Sequence, residues 1–187
     1  MKHNKDRILK VFDANIFLSG LNFNLIKGLI YTTPNVINEI DVKQYKDKNR
    51  NILTRIDAAL ESNQLIVQTP EEHFIKKVEM VSKKTGDFRA LSETDKHVLA
   101  LALELKETKN QEIIIYTDDY SMENVALELE IHYSQFFRDG IKKKVQWEVY
   151  CPTCNIVYKP EDLFEKCELC ETRLKRRPTK KKGYRNK

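Results

Sequence analysis

Short apolar runs alternate with longer stripes of helical period along most of the chain. Residues 8–12 form a first run and residues 29–32 a second, after which Thr33 and Pro34 offer a helix cap and a proline at the first helical position. A stripe through Ile52, Leu53, Ile56, Ala59 and Leu60 is followed by a strand at 65–67 and a second stripe through Phe74, Ile75, Val78 and Val81. Residues 85–91 read as a loop. Ser92 then caps a helix whose Val98, Leu101, Ala102 and Leu105 keep one apolar face, residues 113–116 form a buried strand, and a last helix after Ser121 turns Met122, Val125, Ala126 and Leu129 inward. Strand and helix in alternation predict an α/β domain with a mainly parallel central sheet flanked by helices.

Beyond residue 140 the pattern changes. Trp147, Val149 and Tyr150, then Ile156, Val157 and Tyr158, suggest short strands around four cysteines spaced CPTC, twelve residues, CELC. Cys151, Cys154, Cys167 and Cys170 can place four thiolates around one zinc, which predicts a small C-terminal zinc ribbon whose closed site is structural. Asn155 and Glu171 follow the second cysteine of each knuckle, where a positive φ is wanted; Asn tolerates it better than Glu.

Charge divides the chain at the same point. Residues 1–139 carry 19 basic and 22 acidic groups and residues 140–187 carry 14 and 6, so a net of −3 meets a net of +8. The expected organisation is a catalytic or binding body over 1–139, a basic linker over 140–147, a ribbon over 148–175 and a basic, disordered tail over 176–187. Lys142, Lys143 and Lys144 in the linker, with Arg173, Lys175, Arg176, Arg177, Lys180, Lys181 and Lys182 near the end, are candidate contacts to a polyanion, since counterion release favours such clusters. A mean hydropathy of −0.58 and the lack of an apolar run near ~20 residues exclude a membrane span. With no signal peptide pattern, the expected location is cytoplasmic.

Certain acids stand out against this frame. Asp13 ends the first strand, and Asp118 and Asp119 end the strand at 113–117; carboxyl ends of parallel strands form the ligand crevice of such sheets. Asp95 shares the inward stripe of its helix with Val98 and Ala102, and Glu39 sits three residues after Val36. Each has a plain structural role open to it as a cap, a turn residue or a solvated edge. Together they bring four segments to one side of one sheet. Two carboxylates ~5 Å apart repel by about 3 kcal/mol at an effective dielectric of 20, so a cluster either protonates or holds a cation. Oxygen ligands in an open cleft favour magnesium or manganese.

The segments VFDANIF, TTPNVINEI, LSETD and YTDDYSMENV, in this order and followed by a four-cysteine ribbon, resemble the PIN-domain endonucleases of the Nin-one-binding (Nob) family in its archaeal form. The likeness spans nearly the whole chain. It implies a PIN-like body and a metal-dependent endoribonuclease that trims the 3′ end of precursor small-subunit ribosomal RNA, with that RNA and the small ribosomal subunit precursor as partners and no organic cofactor. It assigns the catalytic acids to Asp13, Glu39, Asp95 and Asp119, the pattern Thr117, Asp118, Asp119, Tyr120 preferring Asp119 over Asp118. Asp13, Asp95 and Asp119 would hold magnesium or manganese. Asp118, Asn15, Thr117, Ser121 and Asn124 are candidates to assist or to contact phosphate. A phosphoacceptor receiver is disfavoured because residues 131–137 contain no lysine, and a haloacid-type phosphatase because Asn15, not Asp, stands two residues after Asp13. The non-enzymatic alternative is an RNA-binding adaptor with an inactive PIN-like body.

Overall fold

A computed structural model describes residues 8–20, 22–42, 46–109, 111–135 and 145–179. Five parallel strands build the main sheet: β1 (Leu9–Phe12), β2 (Ile30–Thr32), β3 (Leu65–Val67), β4 (Ile113–Tyr116) and β5 (His132–Ser134), in the order β3-β2-β1-β4-β5. Helices α1 (Ala14–Leu18), α2 (Pro34–Ile40), α3 (Lys46–Glu61), α4 (Glu72–Thr85), α5 (Glu93–Lys109) and α6 (Tyr120–Glu128) supply the crossovers. The predicted α/β architecture is therefore present. The strand order reverses between β1 and β4, where such sheets open a crevice at their carboxyl ends.

The core explains why these segments hold. Val11, Phe12, Ile30 and Ile115 on the sheet are fully buried, and Phe12 packs edge-on against Phe17 and Tyr116 with ring centroids 5.7 and 5.1 Å away. α5 is buried well beyond its predicted stripe: Leu99, Ala100 and Leu103 lie inside along with Val98, Leu101, Ala102 and Leu105. A helix apolar on most faces belongs in a core. Two short elements lay outside the periodic pattern, α1 and a 3-10 turn at Phe23–Leu25, both too short to show a period. No helix among the described residues is long and apolar enough to cross a membrane.

The ribbon is a second, antiparallel sheet, β7-β6-β8, with β6 at Trp147–Tyr150, β7 at Val157–Tyr158 and β8 at Lys175–Pro178. Here the expected boundaries move. Trp147, placed in the linker, opens β6, and residues 176–178, placed in a disordered tail, form most of β8. A strand reading Lys-Arg-Arg-Pro has no apolar alternation to betray it. Its arginines instead lay their guanidinium planes on aromatic rings of β6, Arg176 at 4.7 Å from Trp147 and Arg177 at 4.2 Å from Tyr150.

Candidate active site and metal centre

Register places the acids. Phe12 pairs with Tyr116, so Asp13 and Thr117 emerge side by side at the ends of β1 and β4, and the Asp13 backbone N–H donates to the Tyr116 carbonyl at 3.2 Å. Asp13 is buried to 2% exposure and caps α1, its Oδ1 accepting the Ala14 N–H at 2.6 Å. The fully buried Thr117 hydroxyl donates to Asp13 Oδ2 at 3.1 Å and accepts the Asp119 N–H at 3.1 Å, tying two acids together through one oxygen. Asp119 is the N-cap of α6 and accepts the Ser121 and Met122 N–H groups. The helix thus begins one residue before Ser121, the point after which the apolar spacing starts it.

Asp95 lies in the first turn of α5 and forms a reciprocal cap with Ser92: its Oδ2 accepts the Ser92 N–H at 2.7 Å, and Ser92 Oγ accepts the Asp95 N–H at 3.1 Å. The capping role and the functional role are compatible, because each cap engages one carboxylate oxygen. Oδ1 of Asp95 and Oδ2 of Asp119 accept no hydrogen bond among the described residues.

The three aspartates feel one another. Burial and then the charge of Asp95, with a smaller push from Asp119, raise Asp13 to about 7. Burial, then the charges of Asp119 and Glu39, raise Asp95. Glu39 itself is exposed on α2. The charges of these four acids therefore meet at the β1/β4 rim, and the raised Asp13 and Asp95 there invite a cation. Among the described residues the carboxylates stand further apart than the four thiols, which are the group packed tightly enough to share one ion.

The other predicted candidates have distinct places. Asp118 is buried beside Asp119, and Asn15 is exposed on the first turn of α1. Ser121 Oγ accepts a hydrogen bond from Arg176 Nη2 at 3.2 Å. Asn124 turns away from the acids: its amide bonds Asp87 Oδ2 and the Val145 carbonyl, and its Oδ1 accepts the Val145 N–H.

That contact belongs to a surface on which the ribbon packs against the body. Asp87, fully buried, accepts Arg176 Nη1 at 2.7 Å from the ribbon. Burial raises Asp87 above its usual range against the pull of Asn124, Thr85 and Arg176. Gly86 ends α4 at φ +82°, and a Cβ there would collide with the Trp147 carbonyl oxygen. Arg89 donates to the Glu161 carbonyl at 2.5 Å, and Lys83 pairs with the Glu161 carboxylate at 3.4 Å. The only advance signal was an aspartate directly after a helix-ending glycine.

Basic residues divide accordingly. Arg176 is held by Asp87 and Ser121, Arg177 by Glu148 and Asn155, and Arg173 by the Phe164 carbonyl and ring. Lys175 is exposed. Lys142, Lys143, Lys144, Lys180, Lys181 and Lys182 lie outside the described residues.

The four cysteine sulfurs lie within 4.8 Å of one another, with Cys151 and Cys170 at 3.4 Å. Both knuckles make the same turn: Asn155 N–H bonds the Cys151 carbonyl, Glu171 N–H bonds the Cys167 carbonyl, each at 2.8 Å, and both residues adopt left-handed backbone at φ 59° and 57°. Hydrogen bonding with Thr172 holds the Cys170 thiol down to about 6, whereas Cys170, then burial and Cys151, push Cys154 up to about 12. Four sulfurs this close ionise together only around a cation, so the donor set fits a metal.

Comparison with known proteins gives the same picture. Residues 10–105 match the family model described as the PIN domain of ribonuclease. The chain is 37% identical to the endoribonuclease Nob1 of Methanocaldococcus jannaschii over 92% of its own length and 79% of that protein. It is 33% identical to the endoribonuclease Nob1 of Pyrococcus abyssi over 92% and 96%. A 20S-pre-rRNA D-site endonuclease nob1 of Schizosaccharomyces pombe is 41% identical over 41% of this chain and 17% of the yeast protein. With a family model across half its length and archaeal relatives matched nearly end to end, the chain belongs to the PIN-domain ribonucleases, in the Nob1 endoribonuclease family.

Proposed function

We propose that this chain is a divalent-metal-dependent endoribonuclease that matures the 3′ end of small-subunit precursor rRNA within the small ribosomal subunit precursor. The observation that carries the reading is the convergence of Asp13, Asp95 and Asp119, from three separate segments, on the carboxyl rim where the strand order reverses, each engaging one oxygen in a helix cap. The Nob1 relatives support the substrate class.

Asp13, Asp95 and Asp119 would hold magnesium or manganese, whose charge offsets that of the acids and of the phosphodiester. Thr117 fixes the orientation of Asp13 and Asp119. Glu39, exposed beside Asp95, orients the attacking water. Attack in line at phosphorus breaks the bond to the 3′ oxygen and leaves a 3′-hydroxyl and a 5′-phosphate, with no covalent intermediate on the protein. Cys151, Cys154, Cys167 and Cys170 would hold a structural zinc, and free thiols accord with a cytoplasmic setting.

The test is incubation of the full chain with precursor small-subunit RNA extending past the mature 3′ end, in manganese, magnesium or chelator, with product ends mapped. The Asp13→Asn variant keeps the α1 cap, since Asn caps as well as Asp, yet loses the charge. It is expected to bind RNA and to cleave at least about 100-fold more slowly, beyond the effect of altering a supporting residue. Wild-type protein that binds RNA in both metals and leaves it intact would instead be an adaptor.

A further inference from the structure

Between the PIN body and the ribbon lies a cavity of about 350 Å³, lined by Ala90, Asp118, Asp119, Tyr120 and Ser121 from the body and by Phe164 and Arg176 from the ribbon. Its size is at the low end for a small-ligand site. Three observations make it more than a seam. It begins at Asp119, one of the proposed catalytic acids. Each module contributes one large aromatic ring left substantially in solvent, Tyr120 at 47% and Phe164 at 53% exposure. Phe164 also sits at φ +75°, a conformation bulky residues rarely adopt. Strained backbone under an exposed ring is characteristic of ligand-contacting positions.

The cavity's chemistry is specific. Two aromatic faces suit a planar base, and any base has a π face. Arg176 lines the site with its Nη atoms held by Asp87 and Ser121, so it forms a fixed wall of the cavity rather than a mobile charge. A paired base cannot enter, because its faces are already stacked.

We propose that this cavity is a base-binding subsite, in which Tyr120 and Phe164 stack on one unpaired nucleotide adjacent to the cleaved bond, so that body and ribbon jointly position the RNA. The inference rests on the ribonuclease reading and deepens it. Tyr120 and Phe164 are positioning residues here, and the ribbon acts on cleavage directly instead of only tethering substrate.

The test uses the full zinc-loaded chain carrying Asp13→Asn, with short single-stranded RNAs spanning the mature 3′ end that hold a fluorescent purine analogue or an abasic residue at successive positions. The analogue should be quenched at one position next to the cleaved bond. Tyr120→Ala or Phe164→Ala should abolish that quench and weaken binding about tenfold. An abasic residue at the same position should weaken binding by a similar factor in the parent and add nothing further in the variants. Phe164→Gly relieves the backbone and should bind as weakly as Phe164→Ala at an unchanged or higher melting temperature, separating base contact from folding. Unchanged quenching in the variants, or losses that multiply when abasic RNA meets the variants, would overturn the subsite. Because binding is read without turnover, a missing quench with wild-type cleavage intact sinks the subsite alone. A quench present with no metal-dependent cleavage by the wild type sinks the nuclease reading alone.

Discussion

Asp13 is buried, caps a helix and faces two other aspartates, and these three facts act against each other. The cap favours its anion, while burial and Asp95 oppose it strongly enough to raise it from 3.8 to about 7. A carboxyl raised on folding contributes stability that is complete below its unfolded pKa near 3.8 and is lost as pH rises through about 7. Zinc-loaded protein free of magnesium and manganese is therefore expected to resist urea better at pH 5 than at pH 8, by an amount on the order of a few kcal/mol. Adding manganese should narrow the difference, and Asp13→Asn should remove the share due to Asp13, leaving that of the similarly raised Asp95 and Asp87; equal urea midpoints at both pH values in the wild type would contradict the burial argument. The position of Asp13 was readable because it closes an apolar strand. Its meeting with Asp95, 82 residues further on, was expected from the strand ends and the family resemblance; periodicity alone shows nothing of it, because a distance between segments leaves no periodic trace in either one.

Among the elements, the periodic ones were legible and the short or polar ones were not. Thr33 and Pro34 started α2, Ser92 capped α5, and residues 65–67 and 113–116 formed strands, as their residue types require. By contrast β8 carries no apolar alternation; it pairs along β6, with its arginines over Trp147 and Tyr150. The turn after α4 was readable as a loop, but its docking role was hidden, because a buried aspartate declares itself only when its partner folds against it. Gly86→Ala tests that turn. The left-handed φ alone costs about 1–2 kcal/mol, and the methyl group collides with the Trp147 carbonyl. The variant is expected to loosen the ribbon from the body, seen as faster proteolysis around residues 86–91, while Asp13, Asp95 and Asp119 keep their caps. Cleavage patterns matching the wild type would show that the contact bears no load.

At the scale of the whole molecule, a body with one extensive core carries a ribbon whose buried cluster comprises Val149, Cys151, Leu163, Cys167 and Leu174. Five residues are too few to hold such a module against its conformational entropy, and the proposed zinc would supply the balance. Chelation strong enough to extract zinc is expected to unfold the ribbon and leave the body's cooperative transition in place, giving calorimetric traces with one event lost and one kept; a single merged loss would mean that docking, and not metal, limits the ribbon. The basic end foreseen from composition is also smaller in effect than its net charge suggests, because Arg173, Arg176 and Arg177 are occupied within the fold.

Arg176, which fastens ribbon to body, follows the last cysteine by six positions. A growing polypeptide emerges amino end first, so on the translating ribosome the acidic centre is assembled while its aromatic neighbour wall is still unmade. Completion of the cysteine knuckles and arrival of the closing strand therefore set the moment at which a nascent chain brings Phe164 and Arg176 against the acidic rim.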